Sequence, residues 1–422
     1  RIEIDGSAME VGDVREGPGF DGLVFVNGGH TVRALSIGGF EGAGLVLAEG
    51  DGNRVLGCYV GVDATGLVAR PNGDDGLVVT RSADNAIGGE AAAERNLVSG
   101  NDGRGIFLDG PRAYGNRVSG NVIGLAADGT ALPNGAQGIL IQDAPDNRIG
   151  GRGGSDGNIV AGNGGDGIVV RGAAASGNLI AGNLVGARGT DDPANGGTGI
   201  LIDGAPETTI GGDVAARNWI AGNRGDGIAL VGPDARDGRV GGNLVGLGTD
   251  GATPRGNGGD GIRVVGAPDN RVGGPGGLAP AVRANATRAL TEPVTTTVLA
   301  GNVVAFSGGD GIEIGGAGAR GNVVSGNAIG VTAAGAPAGN ADHGILLDGA
   351  PSNEIGGLDG GGNAIAANGG SGVAVVGIGA RRNRLVGNAI GIVPSSWPSA
   401  TLAAGNRGEG VLILGAPDTS VG

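Results

Sequence analysis

Three aspartates, Asp226, Asp260 and Asp310, each stand immediately before a Gly–Ile pair, and Asp75 and Asp166 fill the same slot nearer the N-terminus. If a repeat brings these slots into one file, neighbouring carboxylates repel unless they are solvated or bridged. The file is therefore a candidate cation site, with Ca²⁺ the hard, oxygen-seeking ion it would suit. Asp before Gly is also ordinary turn chemistry, and Arg104, Gln137, Thr198, His343, Ser371 and Glu409 interrupt the file. His343 follows Asp342, an acid–imidazole pair suited to abstracting a proton from a uronic acid. Cys58 lies in the apolar run GCYVGV and reads as a small buried side chain; as the sole cysteine it has no intrachain disulfide partner. No CxxC, P-loop, dinucleotide fingerprint or Ser–His–Asp order occurs in a supporting context, so no catalytic or cofactor-binding residue is assigned.

What must position these residues is a repeat. The anchor is one residue, then Gly, then an aliphatic i, i+2 pair, as in Asp166-Gly167-Ile168, Thr198-Gly199-Ile200 and Asp226-Gly227-Ile228. It recurs through the chain from Asp21-Gly22-Leu23 to Glu409-Gly410-Val411. Between anchors lie two further strand signals of the form Asn-x-aliphatic-x-Gly, giving three short strands per coil of about 31 residues, with long turns alternating in place so that the higher-order period is about 62. The alternation of Ile139/Ile141, Ile200/Ile202 and Ile312/Ile314 is that of β-strands, punctuated by Gly, Asn, Asp and Pro. A step this short leaves no room for a crossover helix. Like strands must stack in parallel, as three sheets around a narrow core, with about 12–13 coils at roughly 4.8 Å per rung.

Two asparagine columns follow: one runs from Asn53 through Asn85, Asn116, Asn147 and Asn178 to Asn383, the other from Asn96 through Asn121, Asn158 and Asn183 to Asn388. Stacked amides at a bend satisfy groups that would otherwise be buried unpaired, so both columns read as structural. His30 falls in the first column as a substitute for Asn. The segment 275–301 is the one large departure from the repeat, with a short helix expected around 281–290. The loop holding Trp397 is a second candidate contact.

Composition agrees. Gly supplies 100 of 422 residues without a Gly-X-Y period, which excludes collagen, and two Trp, two Tyr and five Phe leave the core to small aliphatic side chains. The net charge is −14 and every basic residue is Arg, which argues against a nucleic-acid partner. No apolar stretch is long enough to span a membrane. No linker divides the repeat, so residues 1–422 are expected to form one domain; the start at Arg1 and the end inside DTSVG read as a fragment of a longer chain.

The copies GNVIGLAADGTALPNGAQGILIQDAPDNRIGG, GNLVGLGTDGATPRGNGGDGIRVVGAPDNRVGG and GNAIGVTAAGAPAGNADHGILLDGAPSNEIGG resemble the parallel β-helix repeat proteins of bacterial surfaces. That resemblance implies an all-β, right-handed, pectate-lyase-like β-solenoid in an exported multidomain protein. It does not extend to the nonapeptide spacing of calcium-loaded toxin repeats. The expected function is a non-catalytic extracellular or cell-surface rod, a stalk, adhesin segment or filament subunit. Its partners would be further copies, flanking domains at the coil ends, or surface glycans. The alternative is a lyase or epimerase on acidic glycans, or a glycan-binding tailspike. The enzyme reading expects Asp226, Asp260, Asp310 and His343 to converge on one face over neighbouring coils.

Overall fold

The structure, a computed structural model, describes residues 1–8, 20–152, 155–187, 193–274, 301–358, 361–393 and 402–422. The expected insertion, apart from Gly301, and the Trp397 loop lie outside the described residues.

Each coil begins with a three-residue strand, turns into a short strand of two or three residues, passes a long turn or hairpin, and ends in a four-residue strand. Tyr59–Val60, Leu77–Thr80 and Ala86–Gly88 are successive examples. Among the described residues every strand but Ile392–Val393 and Leu402–Ala403, an antiparallel pair of their own, pairs with its counterpart one coil away, so the chain forms three parallel sheets of 13 strands each. The first sheet runs from Ile2–Asp5 to Ala389–Ile390, the second from Leu23–Phe25 to Val411–Leu414, and the third from Thr31–Arg33 to Ser420–Val421. This is the right-handed parallel β-helix expected from the repeat. At the usual inter-strand spacing it makes a rod roughly 58 Å long.

Registration is strict because one face of every strand is core. In the second sheet Ile106, Ile139, Ile168, Ile200, Ile228, Ile262, Ile312 and Ile345 stack in one column. All are fully buried. Each contributes about 1.5–3 kcal/mol by leaving water, and a one-residue slip would turn the whole set outward. Wherever a further coil lies beyond it, the anchor Gly is required by stacking rather than by its torsions. A Cβ added at Gly227 would lie 2.6 Å from the carbonyl oxygen of Gly261 and 2.6 Å from Val245 Cγ1.

The corners are held by amides. Asn158 shows the pattern: its Nδ2 donates to Val118 O at 2.8 Å and to Asn183 Oδ1 at 2.9 Å, and its Oδ1 accepts from Asn121. Both expected columns are present, His30 heads the first through its N–H to Asn53 Oδ1, and Cys58 heads the second through its N–H to Asn96 Oδ1. A third column was not expected: Asn72, Asn101, Asn134, Asn163, Asn195, Asn223 and Asn257, resuming at Asn340, Asn368 and Asn406. It lies beyond the hairpins, whose unequal lengths hide it from any fixed spacing. It is broken at Ser307, whose buried hydroxyl has no partner. The Ser307→Asn variant is expected to close the gap and add about 1 kcal/mol of stability. Calorimetry would read this as a raised unfolding midpoint, and an unchanged one would mean the corner cannot seat the amide.

Alternate coils send a hairpin outward between the first and second sheets, closed by the bridges Val62–Ala69, Leu125–Ala131, Leu247–Pro254 and Val331–Pro337. These hairpins touch one another across the intervening coil, through Ala127 N–H to Gly66 O and Ala333 N–H to Gly251 O. Beneath the later ones lies a second apolar layer of Leu244, Leu247, Val303, Val331 and Ala338, against which Trp219 and Phe306 pack. No helix of the described residues is long and apolar enough to cross a membrane.

Candidate functional site

The residue before each anchor Gly stands where the chain enters the second sheet. Its side chain is turned toward the next coil. Asp226 Oδ1 accepts the Asp260 N–H at 2.8 Å, Asp260 Oδ1 accepts the Asp310 N–H at 2.7 Å, and Asp310 Oδ1 accepts the His343 N–H at 2.7 Å. His343 Nδ1 continues the file by accepting the Ser371 N–H at 2.9 Å. Asp75 and Asp166 do the same for Arg104 and Thr198. One oxygen of each carboxylate therefore serves the backbone, and the turn role weighed in the sequence is realised at every described Asp in the file.

Over three coils the file does more, because two charged residues join it. The second strand position of this sheet points outward and is aliphatic or aromatic in most coils, as at Val78, Phe107, Leu140, Val169, Leu201, Ala229, Leu346 and Ala374. At two adjacent coils it holds Arg263 and Glu313, paired in register. Arg263 Nε donates to Glu313 Oε2 at 2.9 Å, and its guanidinium lies 3.9 Å from Asp226 Oδ2 and 4.0 Å from Asp260 Oδ2. One guanidinium thus faces three carboxyl groups, with a fourth, Asp310, a rung beyond.

Too little positive charge is present to ionise them all. Burial pushes the Asp260 carboxyl up to about 8, with the adjoining Glu313 side chain raising it further and the Asp310 N–H opposing. Asp310 is pushed up to about 6, again by burial first, against the N–H and charge of His343. Asp226 is raised by burial, with the Asp260 N–H and Arg263 pulling the other way. Near neutral pH the Asp260 carboxyl therefore keeps its proton, with the Glu313 side chain beside it and Arg263 bound to Glu313.

The three aspartates named from the sequence are brought into adjacent rungs, and His343 occupies the next. The imidazole is engaged by Ser371, while Asp342 is exposed. Among the described residues no group of three or more His, Cys, Asp or Glu side chains is arranged to hold a metal ion. Cys58 is fully buried, and burial pushes its thiol up. Arg263 and Glu313 were missed, although a charged pair in an otherwise apolar outward column was a readable signal. The segment 275–300 falls between their strands and separates them in sequence.

No family profile and no curated protein sequence matches the chain. Solved structures of parallel β-helix proteins do. By its own three stacked parallel sheets the chain is a parallel β-helix. The Dettilon tailspike protein gp208 is 17% identical with a TM-score of 0.38, over 78% of this chain and 61% of the tailspike. The periplasmic alginate epimerase AlgG is 11% identical with a TM-score of 0.33, over 92% of this chain and 70% of that one. The A-module of the Azotobacter vinelandii mannuronan C-5 epimerase AlgE4 is 15% identical with a TM-score of 0.28, over 93% and 64%. The β-helix thus spans less than two thirds of the length of the tailspike.

Proposed function

We propose that the protein is an extracellular, glycan-directed β-helix whose second sheet carries proton-transfer chemistry on an acidic polysaccharide. The observation supporting this is the cluster itself, Asp260 with its carboxyl titration pushed up by burial, Glu313 beside it and the cation Arg263 bridging them at the surface. Such a trio matches the needs of proton abstraction beside a sugar carboxylate. Arg263 holds the anionic group of the substrate, the Glu313 side accepts the proton from the adjacent carbon, and Asp260 supplies a proton to the charge that develops. Elimination and epimerisation share this first step. They differ in whether a leaving oxygen is expelled or the proton is returned to the other face. Protons and Arg263, rather than a bound Ca²⁺, offset the crowded charge in this reading. An open face along a rod admits a polymer through both ends, which an enclosed pocket would not.

The test is turnover of pectate and alginate, followed as unsaturated uronides and as C5-epimer ratio by NMR. The Glu313→Gln and Asp260→Asn variants are each expected to lose roughly 10²–10⁴-fold in rate, the usual worth of a positioned acid or base. If the unaltered protein yields neither product, the catalytic reading is lost. The second reading is then a non-catalytic surface rod, favoured by the long amide columns at all three corners. Electron microscopy of the purified protein addresses it directly, since fibres with a regular axial repeat would make the chain a structural subunit.

A further inference from the structure

The corner between the second and third sheets carries an acid in six coils. The residue immediately before the first asparagine column adopts a left-handed backbone, φ between 54° and 78°, and the acids there are Asp84, Asp146, Glu207, Asp237, Asp269 and Asp418, with Gly in most other coils. Three successive coils carry no acid there. There the position is Gly321, Ser352 and Arg382, preceded by Arg320, Pro351 and Arg381. Arg320 and Arg381 occupy the same place two coils apart, roughly 10 Å along the rod. They border a shallow depression of about 500 Å³ whose apolar edge is Ile378, 85% exposed.

The comparison within the chain is Arg236, which holds the same place in an earlier coil and is neutralised by its neighbour Asp237 at 3.1 Å. In the depression the corresponding neighbours are Gly321 and Arg382. Among the described residues no carboxylate lies within ion-pair distance of Arg320, Arg381 or Arg382, whereas Arg384 beside them is paired with Glu354 at 3.3 Å. In a chain of net charge −14, three unpaired guanidiniums gathered in one hollow concentrate positive potential where the fold elsewhere places acids. Arg382 moreover holds a left-handed position, φ 59°, that Gly fills without strain in other coils.

We infer that this corner is an anion-binding subsite for an acidic glycan, its arginines taking carboxylate or sulfate groups by paired N–H donation and Ile378 offering an apolar face to the sugar ring. The inference rests on the glycan-directed reading and adds to it a second contact. The strand Ile312–Gly315 carries Glu313, and Arg320 follows on the same coil, so one polymer crossing from sheet to corner meets both.

The test is calorimetric binding of pectate, alginate and heparin oligomers to the whole protein. The variant Arg320→Ser/Arg381→Ser/Arg382→Gly rebuilds the corner as Ser176–Gly177, which the fold already accommodates. A loss of roughly tenfold or more in affinity, with a weaker salt dependence, is expected for this variant. Arg54→Ser, which removes an exposed arginine near the other end of the rod, should bind as the unaltered protein does, which separates this subsite from a general loss of positive charge. Preference for pectate and alginate identifies carboxylate as the natural group, and preference for heparin identifies sulfate. Equal affinity of the triple variant for every polymer overturns the inference. So does a change confined to self-association in sedimentation, which would make the corner a contact between copies. Binding with this pattern but without turnover would leave the subsite standing and remove only the catalytic reading.

Discussion

Replacing Asn183 with Leu is expected to cost about 3–5 kcal/mol, since several buried polar groups lose their partners at once at roughly 1–3 kcal/mol each. Asn183 is fully buried at mid-rod. Its Nδ2 donates to Ile149 O at 2.9 Å and to Asn218 Oδ1 at 3.1 Å, and its Oδ1 accepts the Asn158 N–H and Nδ2–H at 3.1 and 2.9 Å. Leucine keeps the γ-branched shape and fills the corner with apolar atoms, so both donors and acceptors are orphaned away from water. Because each coil touches only its neighbours, a weakened central rung should also divide the rod into two units that unfold separately. Denaturant titration followed by circular dichroism would show a lower midpoint and a second transition. A loss below about 1 kcal/mol would mean that the amide column merely fills space.

The second large effect is on pH. Asp260 and Asp310 have folded-state values of about 8 and about 6, both above the ordinary 3.8. The folded protein therefore binds more protons than the unfolded chain throughout that interval. Their contribution favours folding below about pH 4 and is lost as pH rises, through 6 for Asp310 and through 8 for Asp260. The opposite sign holds at exposed turns, where hydrogen bonds from Thr253 hold Asp250 down to about 2, stabilisation that disappears as the pH falls toward that value. Maximum stability is thus expected near pH 4–5, falling by several kcal/mol, on the order of 3 for Asp310 alone, by pH 8.5. Asp260→Asn keeps an acceptor for the Asp310 N–H and a donor for Glu313 without the ionisation. It should flatten the upper part of the profile and raise the melting midpoint at pH 8.5. A stability that instead climbs steadily from pH 5 to 8.5 would show that these carboxyls are ionised and solvated.

The fold was legible because each coil repeats a local pattern. Alternating Ile106/Leu108 or Ile139/Ile141, a Gly that stacking requires, and an Asn at the bend specify inward face, spacing and corner within about 31 residues. Nothing distant need be known for those features to define three stacked sheets. Two asparagine columns and the aspartate file were readable for the same reason, and so was the place of His30 at the head of the first column, which it joins through its backbone N–H. The third column was not, because hairpins of unequal length stand between its members and the preceding strands. The chemistry of the site was only half readable. Asp226, Asp260 and Asp310 carry the anchor motif, but Arg263 meets Glu313 only when the strands pair across the segment 275–300. The raised titration of Asp260 follows from burial and from Glu313 beside it, a neighbour that only the stacked coils supply. The arginine corner likewise exists only once coils stack, since Arg320 and Arg381 lie far apart in sequence and share a hollow through the register of Asn322, Asn353 and Asn383. Short-range periodicity determined the architecture. Inter-coil register, which converts long sequence separations into neighbouring rungs, decided where charge gathers.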